Sequence, residues 1–214
     1  MPPKVSLEYK EVTRDRILDS AERLFEKKGY YDTSMDDIVK ESKMSKGAIY
    51  GYFSSKEELF ESLQERDYAQ SFQSSLALLE AKMSAREKLE KLADIYFLSN
   101  DEDAKAWCRM YIEFSAASMH LKQAHAKLEG RMGDIHKLIV TILREGIKNG
   151  EFRKGIDIDS IASVLIATVD GLTLHWAIKN EDIDWNRVKS ALVDLALQGI
   201  ALNSPSRSSS SRSE

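Results

Sequence analysis

Apolar residues recur at three- and four-residue intervals along nearly the whole chain, the spacing of one helix face, and no stretch alternates as a strand would. Thr13 is placed to cap a first helix with the stripe Ile17, Ala21, Leu24 and Phe25, and Gly29 stands where a C′ glycine lets Tyr30 fold back on Phe25. Ser34 and Asp37 form the next start signal, ahead of the inward pair Ile38 and Val39, in a helix ending near Ser42. Ser45 then caps a short helix, with Met44 and Ile49 spaced as a hydrophobic staple, and Ser55 with Glu58 makes a full capping box. From Lys56 the pattern Leu59, Phe60, Leu63, Phe72, Leu76 and Leu79 predicts one unbroken helix to about Lys82.

The second half repeats the theme with longer segments. Ser84 and Glu87 box a helix with Leu89, Leu92, Ala93 and Tyr96 on one face, closed by an acidic loop near Asn100 to Asp103. Trp107, Met110, Tyr111, Phe114 and Ser118 form an aromatic and methionine stripe. Residues 121–149 read as one long helix with a break expected near Gly130 to Gly133 and a stop at Gly150. Asp157 caps a helix carrying Ile161, Val164, Leu165, Thr168, Gly171 and Leu172; Asp184 caps a last one with Val188, Leu192, Leu195, Ala196 and Gly199. Residues 1–11 and the Ser/Arg-rich 203–214 carry no such period and are expected to be a flexible arm and a disordered tail.

Composition sharpens this to an all-α class. Three prolines and ten glycines in 214 residues leave long helices uninterrupted. One cysteine excludes an internal disulfide, and the reading finds neither an apolar N-terminal run nor a transmembrane-length segment, so a cytoplasmic protein away from membranes is expected. The net charge is −4, yet between Lys43 and Lys56 stand three lysines and no acid. A DNA-binding face needs that local patch, because affinity follows the cations that meet phosphates. Two short helices and a tight turn, the second polar and aromatic outside, form a helix-turn-helix suited to a major groove.

At these residues the chain resembles a known family. GYYDTSMDDIVKESKMSKGAIYGYFSSKEELF is similar to the N-terminal DNA-binding domain of the TetR family of bacterial transcriptional repressors, over about Thr13 to Phe60. The resemblance implies a homodimer on palindromic double-stranded operator DNA, released by a small-molecule effector, with no cofactor. Carried over by position, Thr33 and Ser34 would meet phosphates, Lys46, Tyr50 and Tyr52 would face DNA, Gly47 would allow close approach, and Lys56 would contact phosphate. Gly51 departs from a more usual larger side chain. The expected architecture is an N-terminal three-helix helix-turn-helix domain (12–60) and a larger C-terminal helical ligand-binding and dimerisation domain (61–202).

For the larger domain the residues leave two readings open. The stripe of Trp107, Met110, Tyr111 and Phe114, with Tyr96 and His175, is either core or the lining of a pocket for an apolar or aromatic effector. Glu113 beside it is either a surface carboxylate or a partner for a cationic ligand. Thr168, Gly171, Leu172, Leu192, Leu195, Ala196 and Gly199 either cover the chain's own core or form a two-fold interface. An enzyme is not expected: His120 and His125 lie five apart without accompanying carboxylates, Cys108 reads as small and buried, and Asp170 and His175 read as pocket or interface polar groups. The alternative function is a helical adaptor whose aromatic stripe binds a partner and whose hairpin never meets DNA.

Overall fold

The computed structural model describes residues 7–96, 102–119, 122–178 and 184–201. Among them the chain forms nine α-helices and no strand: α1 (Leu7–Lys28), α2 (Met35–Ser42), α3 (Lys46–Tyr50), α4 (Lys56–Glu80), α5 (Ala85–Tyr96), α6 (Glu102–Ser118), α7 (Lys122–Asn149), α8 (Ile158–Ile178) and α9 (Trp185–Ile200). The expected tail, residues 1–6 of the arm, and His120 lie outside the described residues.

α1 begins earlier than Thr13. Leu, Glu and Lys are good helix formers, so residues 7–11 are helical rather than part of an arm, and the Thr13 hydroxyl donates back to the Tyr9 carbonyl at 2.7 Å instead of capping. Gly29 closes the helix at φ +82°, its N–H donating to the Phe25 carbonyl at 2.7 Å, and Tyr30 returns onto the Phe25 ring. Ser34 and Asp37 complete a reciprocal capping box on α2. At α4 the box is shared: Ser55 accepts from the Glu58 N–H, while the Glu58 carboxylate reaches past it to the N–H and hydroxyl of Ser54.

Two cores result. The first gathers Ile17, Leu18, Phe25, Ile38, Ile49, Phe53, Phe60 and Leu63 from α1–α4 and is completed by Met110 and Phe114 of α6 and Ala124 of α7. The second joins Leu92, Leu138, Ile142, Leu143, Phe152, Ala162, Leu197 and Ile200 from the later helices. α4 spans both, since Leu63 lies in the first and Leu78 and Leu79 pack on the second. α7 runs through Gly130 and Gly133 without the expected break, and Gly150 ends it at φ +77°. Glu151 then accepts from the N–H groups of Ala85 and Arg86 at 3.0 and 3.1 Å, pinning the start of α5 to the end of α7.

Candidate DNA-reading helix and effector cavity

α3 is held from one side only. The Ser45 hydroxyl accepts from the Ala48 N–H at 3.2 Å, Ile49 is buried in the first core, and Met44 packs against that core. Lys43 makes the turn between α2 and α3 in the left-handed region at φ 57°. Lys46, Gly47 and Tyr50 are left exposed on the outer side. A Cβ added at Gly47 would meet nothing within 4 Å. Lys46 Nζ bridges Asp36 at 2.8 Å and lies 5.8 Å from the centre of the Tyr50 ring; its pKa is raised, first by that hydrogen bond and then by the charge of Asp36. Ser34 is exposed, and Tyr52 is half-buried against the core.

Thr33 does not fit the phosphate role expected of it. It is buried, and its hydroxyl donates to the Gly29 carbonyl at 2.8 Å and approaches that of Leu24 at 3.4 Å, because the chain leaving Gly29 has carbonyls to satisfy. Lys56 is half-buried, donating to the Tyr30 carbonyl at 2.7 Å with Nζ 4.3 Å from the centre of the Tyr30 ring. The sequence carried no sign of this pairing, or of Asp36 as the partner of Lys46, since neither follows a local spacing.

A cavity of about 360 Å³ lies among α4–α9. Of the residues that the sequence left between core and pocket lining, Tyr96 and Tyr111 line it and Met110 and Phe114 do not. They turn the other way into the first core, where Phe114 meets the Phe60 ring at 4.6 Å. His175 is exposed outside the cavity, and the Trp107 side chain lies outside the described part of the structure. Glu113 is neither a free surface carboxylate nor a ligand partner: its Oε2 accepts from the Tyr30 N–H at 3.1 Å, tying α6 to the turn after α1.

The cavity wall mixes apolar and polar groups. Leu92, Ile139 and Leu197 in it belong also to the second core. Gln64, Tyr68, Tyr111, Arg131, Asp170 and Thr173 are polar lining residues, of which Gln64 follows Leu63 of the first core and Tyr111 stands one turn before Phe114. Burial is the main cause raising the pKa values of Tyr68, to about 12, and of Tyr111 and Asp170. Sequence reading singled out Asp170 but missed Gln64 and Arg131, because polar residues inside α4 and α7 carry no mark of facing inward.

The remaining apolar surface is on α8 and α9. Val164, Leu174, Ile178 and Leu195 are between 44% and 71% exposed, and Gly171 and Gly199 are exposed as well. Thr168 and Leu172 are half-buried, whereas Leu192 and Ala196, expected at the interface, line the cavity. Contrary to the sequence reading, α8 is long and apolar enough to cross a membrane by length and composition alone. Its apolar side chains are shared between cavity wall and outer stripe.

These features define a helix-turn-helix protein with a separate cavity in its larger helical part. The chain belongs to the TetR family: residues 17–63 match the family of bacterial regulatory proteins of that name, and residues 85–201 match the C-terminal region of BetI-type transcriptional repressors. It is 24% identical over 191 residues to the fatty acid metabolism regulator protein of Bacillus subtilis, covering 86% of this chain and 94% of that one. It is 29% identical over 181 residues to the regulator YfiR of the same organism, covering 80% and 83%. Among solved structures it shares the fold of a transcriptional regulator from Saccharomonospora viridis in complex with choline, at TM-score 0.78 and 24% identity over 90% of this chain and 99% of that one. As a family member the protein is a dimeric, ligand-responsive repressor that binds operator DNA, and the adaptor reading falls away.

Proposed function

We propose that α3 enters the major groove, with Lys46 and Tyr50 meeting bases or backbone, Gly47 allowing close approach, and Ser34 and Lys56 flanking on phosphate. Lys46 exchanges its Asp36 partner for DNA, and Lys56 reaches phosphate by leaving the Tyr30 carbonyl. The effector occupies the cavity, and α4 and α6 carry its effect, because each has side chains both in the cavity wall and in the first core. The protein acts in the cytoplasm, as a regulator without catalytic activity.

The observation that carries the α3 assignment is Gly47. Nothing in the free protein needs a missing side chain there, and an alanine would gain up to about 1 kcal/mol of helix propensity. The open position, on the exposed side of α3, is therefore available to something that arrives from outside. Genomic fragments retained by the purified protein supply the operator for the test. Gly47→Ala should keep or raise the melting temperature while weakening operator binding roughly tenfold, as a methyl group forced into a close contact does. An unchanged operator Kd in Gly47→Ala would remove α3 from the groove.

A further inference from the structure

Resting on α3 as the DNA-reading helix, we infer that Asp36 reads DNA together with Lys46. The two side chains share one G·C base pair of each half-site, Lys46 on the guanine and Asp36 on its cytosine. Between Lys43 and Lys56 the sequence holds no acid, and Lys46 is the one charged residue of α3. The fold brings an acid to it from elsewhere: Asp36, in the first turn of α2, accepts from Lys46 Nζ at 2.8 Å. Both side chains are open to a groove, 61% exposed for Lys46 and 64% for Asp36. The neighbouring acid is differently employed. Asp37 accepts from the N–H and hydroxyl of Ser34 and lies 3.3 Å from Lys28 Nζ, so α2 keeps its capping box whatever becomes of Asp36.

An acid beside the lysine of a DNA-reading helix opposes binding to any backbone, because affinity there follows the cations that meet phosphates. A phosphate answers Lys46 and leaves Asp36 facing negative charge. A base pair can answer both. In the major groove guanine presents two neighbouring acceptors, N7 and O6, and its cytosine presents the N4 amino donor beside them. An ammonium donor and a carboxylate acceptor that already touch match that order, so the one bond between them is exchanged for bonds to both bases of one pair. An A·T pair does not match: the adenine N6 donor stands between N7 and thymine O4, and the thymine methyl group crowds the far side. A reversed pair fails as well. Ile38 of α2 and Ile49 of α3 are both fixed in the first core, which sets the order in which the two side chains meet the groove.

The test measures binding of the full-length protein to a genomic operator fragment that it retains, with each G·C pair exchanged for A·T in turn, in both half-sites together, and to a random duplex. For the wild type, one exchange should weaken binding about tenfold or more at the base pair that Lys46 and Asp36 share. Lys46→Ala and Asp36→Ala should each make binding indifferent to that same exchange. The variants part on random duplex, which Asp36→Ala should bind more tightly than the wild type and Lys46→Ala more weakly. Asp36→Ala should keep the wild-type melting temperature, since an exposed ion pair contributes little to folding. An Asp36→Ala protein that retains every wild-type base preference, or loses one that Lys46→Ala retains, overturns the shared readout while leaving α3 in the groove. Wild-type operator binding by both Lys46→Ala and Gly47→Ala overturns the α3 assignment and the readout with it.

Discussion

Gly146 sits where a single methyl group has nowhere to go. A Cβ there would lie 2.2 Å from Phe152 Cδ2 and 2.9 Å from the Ala85 Cβ, and Phe152 is itself buried, with its N–H donating to the Gly146 carbonyl. Replacing a helix-interior glycine by alanine normally stabilises by about 1 kcal/mol. Here overpacking of about 1–3 kcal/mol acts against that gain, and displacing an aromatic ring puts it at the upper end. Gly146→Ala is therefore expected to lower the melting temperature by about 2–8 °C by calorimetry, the opposite of what Gly47→Ala does on the same propensity. Asp37 gives a pH signature at the same scale. Its carboxylate accepts from the Ser34 hydroxyl and N–H, which, with Lys28 nearby, bring its pKa down to about 2. A depressed carboxylate contributes stability above its unfolded pKa, near 3.9, and that contribution disappears as pH falls through about 2. Between pH 4 and 2 the melting temperature of the wild type should therefore fall more steeply than that of Asp37→Asn; parallel curves would count against the capping role. Capping residues such as Ser34 and Ser45 were legible from the sequence because the bond they make is local. Thr33 was not, since its hydroxyl turns inward to carbonyls rather than outward.

Among elements, the joint between α4, α5 and α7 depends on one buried ammonium. Lys88 is 2% exposed, and its Nζ donates to the Leu79 carbonyl at 3.1 Å and to both oxygens of Glu145 at 2.8 and 2.9 Å. Removing the carboxylate leaves a charge in the interior with one neutral acceptor, which costs about 3 kcal/mol or more. Glu145→Ala should lower the melting temperature by about 6–12 °C, whereas Lys137→Ala, which breaks only the exposed pair with Asp134, should be nearly silent. A Glu145→Ala protein as stable as the wild type would show that water, not Glu145, solvates Lys88. Most helix boundaries were legible at this scale, the start of α1 and the continuity of α7 excepted, and azimuth was not. The α6 stripe had the right period, yet Tyr111 faces the cavity while Met110 and Phe114 face the first core, because adjacent residues on a helix point about 100° apart and two apolar destinations flank it.

For the molecule as a whole, the same ambiguity on α8 and α9 bears on where we propose that two subunits meet. Both helices are apolar around much of their circumference, so periodicity could not tell the side that covers the cavity from the side left outside. Leu192 and Ala196 proved to face in, and Leu195 and Gly199 to face out, as do Val164, Gly171 and Ile178 on α8. An outer surface of that composition, with glycines that permit close helix approach, matches a two-fold pairing of α8 and α9 between subunits. Two-fold symmetry makes each substitution count twice, since the same patch serves both sides. Leu195 is 71% exposed in the single chain, so Leu195→Glu should leave the helical signal of the subunit unchanged while placing two carboxylates in one apolar interface. Sedimentation at micromolar concentration should then show monomers, and operator affinity should fall even though α3 is untouched, because a lone recognition helix occupies only one of the two half-sites. A Leu195→Glu protein that sediments as a dimer with wild-type operator affinity would move the interface to another face.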